Sequence, residues 1–152
     1  MGKASSKSNL PDPDNDTSRR HLGLAAKLTA NALRLIEGKN FASLATLGHD
    51  GSPHVTPMWI DHEGDTILMN TAEGRVKLRN IAKDHRVGVT IFDLKNPYDR
   101  IVIQGQVIAQ MHDGAEAHID KLAKKYTGAS KYQKSSPDEK RVILKIEPIK
   151  VF

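Results

Sequence analysis

The chain contains no cysteine, which removes disulfides, thiolate nucleophiles, zinc-thiolate sites and iron–sulfur clusters in one step. Any redox chemistry must then be carried by something other than sulfur. Aromatic residues are scarce, with one Trp, three Tyr and three Phe, too few and too scattered to build the stacking platforms by which RNA-binding sheets read bases. No nucleic-acid partner is expected. No apolar run approaches the roughly 20 residues that a membrane-spanning helix needs, and residues 1–18 lack the apolar stretch of a secretory signal. These two absences predict a cytoplasmic protein with no membrane attachment. Neither the Walker nor the Rossmann glycine pattern occurs, which leaves nucleoside triphosphates and dinucleotides without their usual phosphate loops. The chain has seven histidines, but His49, His54 and His62, around one hairpin, have neither i,i+4 pairing nor an acidic cluster beside them. No metal site is expected. The acidic pairs Asp61/Glu63 and Asp138/Glu139 fall in turns or loops and read as solvated, so no catalytic acid–base couple is identified. Trp59 reads as core or interface.

What remains fits one domain. A chain of 152 residues can bury a single core, and 23 Lys and Arg against 18 Asp and Glu, a net charge of +5, favours anionic partners. Residues 1–17, rich in Ser, Asn, Asp and Pro, read as a mobile tail; residues 18–152 read as the folded unit. Leu22, Ala25, Leu28, Leu33 and Ile36 recur at helical spacing over 18–37, and Gly38 stands at the C-cap. "FASLATL" (41–47), the Asp50-Gly51 turn and "PHVTPMWID" (53–61) form a hairpin. "HEGD" turns into "TILMNT", a basic helix follows, and 86–92 and 100–111 read as strands. Residues 115–128 read as a helix and 141–152 as a last strand. Six strands joined by tight turns, with three helices, predict an antiparallel α+β fold; bulky residues on both faces of 53–61 and 86–92 predict barrel closure or packing on a second copy.

The chemistry concentrates in "MNTAEGRVKLRN" (69–80). Arg75 and Arg79 are four apart, Lys77 and Asn80 three apart, so each pair shares a helical face. Val76, Ile81 and Ala82 can supply the buried side, and Asn70 or Thr71 can cap the first turn. A helix start with free N–H groups and positive charge can hold a phosphate; on spacing alone the same charges read equally as a solvated helix face. A second basic patch, "KLAKKY" with Lys131 and Lys134, reads as a solvated face, or as an anchor for an acidic tail.

The succession "FASLATLGHDGSPHVTPMWID", "ILMNTAEGRVKLRNIAKDHRVGVTIFD" and "NPYDRIVIQGQV" resembles the split-barrel flavin and deazaflavin oxidoreductases, the superfamily of pyridoxamine 5′-phosphate oxidase, and within it the branch that binds the deazaflavin coenzyme F-420. The resemblance covers about 35–152. It implies a six-stranded FMN-binding split β-barrel with flanking helices, a homodimer with two cofactor sites at its interface, and an oxidoreductase that transfers hydride between coenzyme F-420 and a small organic substrate. The alternatives are an FMN-dependent flavoprotein and a non-catalytic flavin- or deazaflavin-binding protein. By residue, it implies Thr56, Pro57 and Met58 along the ring, Asn70 and Thr71 at the ribityl chain and phosphate, and Arg75, Lys77 and Asn80 on the phosphate with Gly74 in the turn before them. Tyr98 and Arg100 would reach the cofactor of the neighbouring subunit. The final strand, "RVILKIEPIKVF", lacks the Arg-and-His pattern of the vitamin-B6 oxidases, so that activity is not implied.

Overall fold

The computed structural model describes residues 24–152; the expected tail 1–17 and the start of the expected first helix, 18–23, lie outside them. Seven strands and three helices follow in the order α1 (Ala30–Glu37), β1 (Ala42–Leu47), β2 (Pro53–Met58), β3 (Asp61–Glu63), β4 (Thr66–Ala72), α2 (Val76–Lys83), β5 (Arg86–Phe92), β6 (Arg100–Met111), α3 (Ala115–Thr127) and β7 (Arg141–Val151). All strand pairs are antiparallel.

The strand order across the sheet is β2-β1-β5-β6-β7-β4-β3. Its two outermost strands are consecutive in the chain and separated by Trp59 and Ile60 alone. A seven-stranded sheet can satisfy so short a link only by curling until its edges approach, and this curl is the split barrel. The same link explains why one expected strand, 53–61, becomes two: the chain leaves the β1 ladder after Met58 and joins the β4 ladder at Asp61. The long strands β6 and β7 bend around the barrel through register shifts at Gln104/Gly105 and Val107/Ala109. At Gly105 a Cβ would lie 2.6 Å from the Glu147 carbonyl oxygen, so the bend admits no side chain there.

Inside the curl, Leu35, Ile36, Leu44, Ile67, Met69, Ile91, Ile103, Leu144 and Ile146 form one fully buried core. The outer face across β2, β1, β5 and β6 carries two rows of mainly small or apolar residues in register, Pro57–Ser43–Thr90–Val102 and Val55–Ala45–Gly88–Gln104. Val55 on this face is 60% exposed.

The first helix is shorter than its spacing predicts. The chain before it is extended because Ala26 N–H donates to Pro148 O (2.7 Å) and Leu28 N–H to the Asp65 carboxylate (2.9 Å); backbone donors committed to the sheet cannot serve a helix. Thr29 then caps α1 by accepting from Ala32 N–H. Gly38 does stand at the C-cap. Helix α3 ends as expected at Gly128, whose φ of +79° is the left-handed turn that favours glycine.

Candidate functional site

Strand β4 ends in a tight turn through Gly74 (φ +84°) and hands the chain to α2, while β7 begins beside it, Arg141 pairing with Ala72. This junction opens onto a cavity of about 360 Å³ lined by Phe41, Pro57, Met58, Trp59, Asn70, Thr71, Arg75, Lys77, Ile119, Tyr132 and Arg141. Its two ends differ in chemistry. One end holds three cations and two polar side chains; the other is apolar and aromatic.

At the charged end the basic motif works in a different pairing from the one its spacing predicts. Helix α2 begins at Val76, and Arg75 is its N-cap in extended conformation (φ −74°, ψ 146°) with no side-chain capping bond. Asn70 and Thr71 are therefore not the caps, and the first-turn N–H groups lack a side-chain acceptor, which leaves the positive end of the helix available to an anion. Because Arg75 lies outside the helix, it shares the cavity with Lys77 rather than a face with Arg79. Arg79 is exposed and donates to Gly74 O (3.2 Å). The buried side of α2 is Leu78, Asn80 and Ile81, while Val76 and Ala82 are exposed. Burial, Arg75 and Arg141 together hold the Lys77 ammonium below the usual lysine range. Three like charges around one volume are costly alone and are relieved by an anion between them.

Arg141 was not among the expected site residues. It is buried, pairs with Glu139 through Nη1, donates from Nε to Asn70 Oδ1 (2.9 Å), and lays its guanidinium over the Tyr132 ring, 4.8 Å from the centroid. Behind it runs a buried polar chain. Asn70 Nδ2 contacts Ala115 O (2.9 Å) and His118 Nδ1 (3.1 Å), and His118 Nε2 meets Asp61 Oδ2 (3.1 Å), which also receives Lys121 Nζ. Burial raises the Asp61 carboxyl, but bonds from His118, the His62 N–H and Lys121 outweigh it and hold the group well below the usual carboxylate range.

The apolar end is built on a ladder of aromatics. Trp59 stacks on Tyr126 (5.2 Å, 5°), Phe41 stacks on the same ring (5.5 Å), and Tyr132 meets Trp59 edge-on (6.1 Å). The Tyr126 hydroxyl donates to Asn40 O (2.6 Å) and accepts from Ile60 N–H. Lys125 donates to Ile36 O and Ile60 O, so this lysine ties α1 and the β2–β3 link to α3 rather than serving an acidic tail.

Of the residues expected at a cofactor, Pro57, Met58, Asn70, Thr71, Arg75 and Lys77 line this cavity and Thr56, Gly74, Asn80, Tyr98 and Arg100 do not. Thr56 lies one residue away, and its hydroxyl, like His54 Nδ1, is buried without a partner. Gly74 shapes the turn and borders a second hollow of about 370 Å³ that shares Arg75. Asn80 is buried and donates to Thr46 Oγ1 (3.0 Å), tying α2 to β1. Tyr98, 86% exposed, sits on a loop that Asn31 and Arg34 of α1 pin through Asp99, and Arg100 opens β6 at the end of that loop. Trp59, read as core or interface, is a wall of the cavity. Among the described residues no group of three or more His, Asp or Glu is arranged to hold a metal ion, and no helix is long and apolar enough to cross a membrane.

Residues 28–152 match the family model for pyridoxamine 5′-phosphate oxidase. Among solved structures, the chain is similar to an F420 reductase, with 28% identity, 78% of this chain and 94% of that one covered, and a TM-score of 0.69. It is also similar to a conserved hypothetical protein of Mycobacterium tuberculosis (22% identity, 84% of each chain, TM-score 0.62) and to general stress protein 26 of Bacillus anthracis (19% identity, 80% and 89% covered, TM-score 0.57). These last two share the fold. No curated protein matches at a significant level.

Proposed function

This chain belongs to the pyridoxamine 5′-phosphate oxidase family, and from that membership we propose that it is an oxidoreductase holding the deazaflavin coenzyme F-420 in the cavity between β2, β4 and the start of α2. The observation that carries the reading is the division of that cavity into an end with Arg75, Lys77 and Arg141 and an end walled by Met58, Trp59, Phe41 and Tyr132. A planar ring joined to a phosphate has the same division, so the residues fit the group. Once bound, such a cofactor supplies hydride transfer at its ring, and the protein supplies orientation, electrostatics and shielding. Arg75 and Lys77 take the phosphate, assisted by the uncapped start of α2. Pro57, Met58 and Trp59, which line the cavity, would hold the ring and keep water from it.

The choice of coenzyme F-420 is supported by the similarity to an F420 reductase and by charge in excess of one phosphate, including exposed Lys124 and Lys131, toward which an acidic tail can extend. A specific observation favours FMN as the second reading. Three cations and the single carboxylate of Glu139 leave two positive charges unmatched at the charged end of the site, and a phosphate monoester carries close to two negative charges at neutral pH.

A homodimer belongs to the same proposal. The outer rows from Pro57 to Val102 and from Val55 to Gln104 form a small-residue, partly apolar face of the kind that pairs with itself, and Tyr98 and Arg100 are exposed and would reach a neighbouring subunit's cavity.

The test is the absorbance spectrum of the purified protein, followed by back-titration with both cofactors if it is colourless. A flavin or deazaflavin band, or uptake of either, supports the reading. Protein that takes up neither overturns it.

A further inference from the structure

We infer that Arg141 is an anion ligand of the cavity, and that Asn70 serves the site by holding Arg141 rather than by touching the bound molecule. This rests on reading the cavity as a cofactor site, and it adds to that site a residue outside the basic motif.

Hydrogen-bond capacity fixes which way the Asn70 amide faces. A guanidinium only donates, so the Asn70 atom facing Arg141 Nε must be the amide oxygen. The Asn70 nitrogen then has two hydrogens for its two neighbours, Ala115 O and His118 Nδ1. His118 Nδ1 therefore accepts, and its proton sits on Nε2, directed at Asp61. Every hydrogen on the Asn70 side chain is used within the protein. It has no donor left for a ribityl chain or a phosphate, although it lines the cavity.

Arg141 is in the opposite state. It is 7% exposed, and a charge that deep needs a reason to be there. Nε is held by Asn70, Nη1 by Glu139, and the face of the group rests on Tyr132. No acceptor among the described residues engages Nη2, and the side chain lines the cavity with Arg75 and Lys77. The two charges are close enough for Arg141 to help depress the Lys77 ammonium. A guanidinium fixed on three sides with a free donor edge is pre-organised for an oxyanion. The ligand class is a phosphate carried on an aromatic ring system.

The test compares ligands with and without the phosphate: FMN and riboflavin differ in that group alone, whereas coenzyme F-420 and its deazariboflavin differ in the lactyl and glutamate tail as well. Quenching of Trp59 fluorescence, the single tryptophan, gives Kd for FMN against riboflavin, and for coenzyme F-420 against its phosphate-free deazariboflavin. Arg141→Gln is expected to weaken the phosphorylated ligand about tenfold or more and the phosphate-free one less than about twofold, with Arg141→Lys recovering part of the loss because it restores the charge without the fork. Asn70→Ala is expected to show the same phosphate-selective loss and to add little on top of Arg141→Gln, since both act through one group. If Arg141→Gln strands Glu139 and unfolds, the paired variant Arg141→Gln/Glu139→Gln removes both charges and is measured instead. Equal losses for phosphorylated and phosphate-free ligands assign Arg141 a structural role and overturn the inference. Additive losses return Asn70 to direct contact. A wild-type protein that binds none of the four ligands overturns the cofactor reading itself.

Discussion

Lys77 is half-buried with Arg75 and Arg141 facing it, and its ammonium is held below the usual lysine range first by burial and then by those two charges. Charge-assisted bonds to a phosphate are worth about 1.5 to 3 kcal/mol each, so Lys77→Ala and Arg75→Ala are each expected to weaken cofactor binding about tenfold or more. Neither should shift the unfolding midpoint much, because neither side chain fills the core. The depressed ammonium also sets a pH dependence. Lys77 loses its proton earlier than a free lysine as pH rises, so anion binding weakens through the alkaline range; Lys77→Arg removes that fall, as titrations at several pH values will read. Asp61 gives the opposite case. Its carboxyl is lower in the fold than in the unfolded chain, so it contributes stability that is present above the unfolded value near 3.9 and is lost as pH falls through the range below it. Asp61→Asn is expected to cost about 1 to 3 kcal/mol at neutral pH. The gap to wild type should narrow below about pH 4 in urea unfolding.

Among the elements, α3 is tied to the barrel by several polar contacts, of which the Tyr126 hydroxyl makes two. Tyr126 OH donates to Asn40 O and accepts from Ile60 N–H, and both bonds are buried. Tyr126→Phe leaves two buried backbone groups short of a partner and is expected to cost about 1 to 3 kcal/mol, read as a lower denaturant midpoint with an unchanged slope. The element boundaries show what a sequence can disclose. Strands β5 and β6 and helix α3 were legible to within a residue because their periodicity is strong and their ends carry turn residues. The break at Trp59–Ile60 was not, because nothing local distinguishes a continuous strand from one that changes partners. The basic motif was legible as a concentration of positive charge, yet its geometry was misread: i,i+4 logic assumes that Arg75 is helical, and it is the extended cap. Arg141 opens an apolar strand and carried no signal of its own. It reaches the cavity through the register of β7 on β4, partners about seventy residues apart whose alignment no local pattern encodes.

At the scale of the molecule, the curled sheet puts a core on its inner face and leaves a partly apolar outer face from β2 to β6. If that face pairs two copies, light scattering will return twice the 16.8 kDa chain mass at micromolar concentration, and Val55→Glu, which places two charges against each other across a twofold axis, will shift it to monomer. Loss of cofactor affinity in that monomer would support the roles proposed for Tyr98 and Arg100. A wild-type monomer would remove the face from the account and leave those two residues without a ligand.

On the function proposed above, this barrel carries its positive charge for an anionic deazaflavin. Parallel titrations of coenzyme F-420 and FMN, followed by Trp59 fluorescence at low and at high salt, test it most directly. Tighter binding of coenzyme F-420 is expected at low salt, with the preference shrinking as salt rises, because exposed pairs to its carboxylate tail are screened over about 8 Å at physiological ionic strength while a pair to the buried Arg141 is screened less. Equal or tighter binding of FMN at low salt would contradict it.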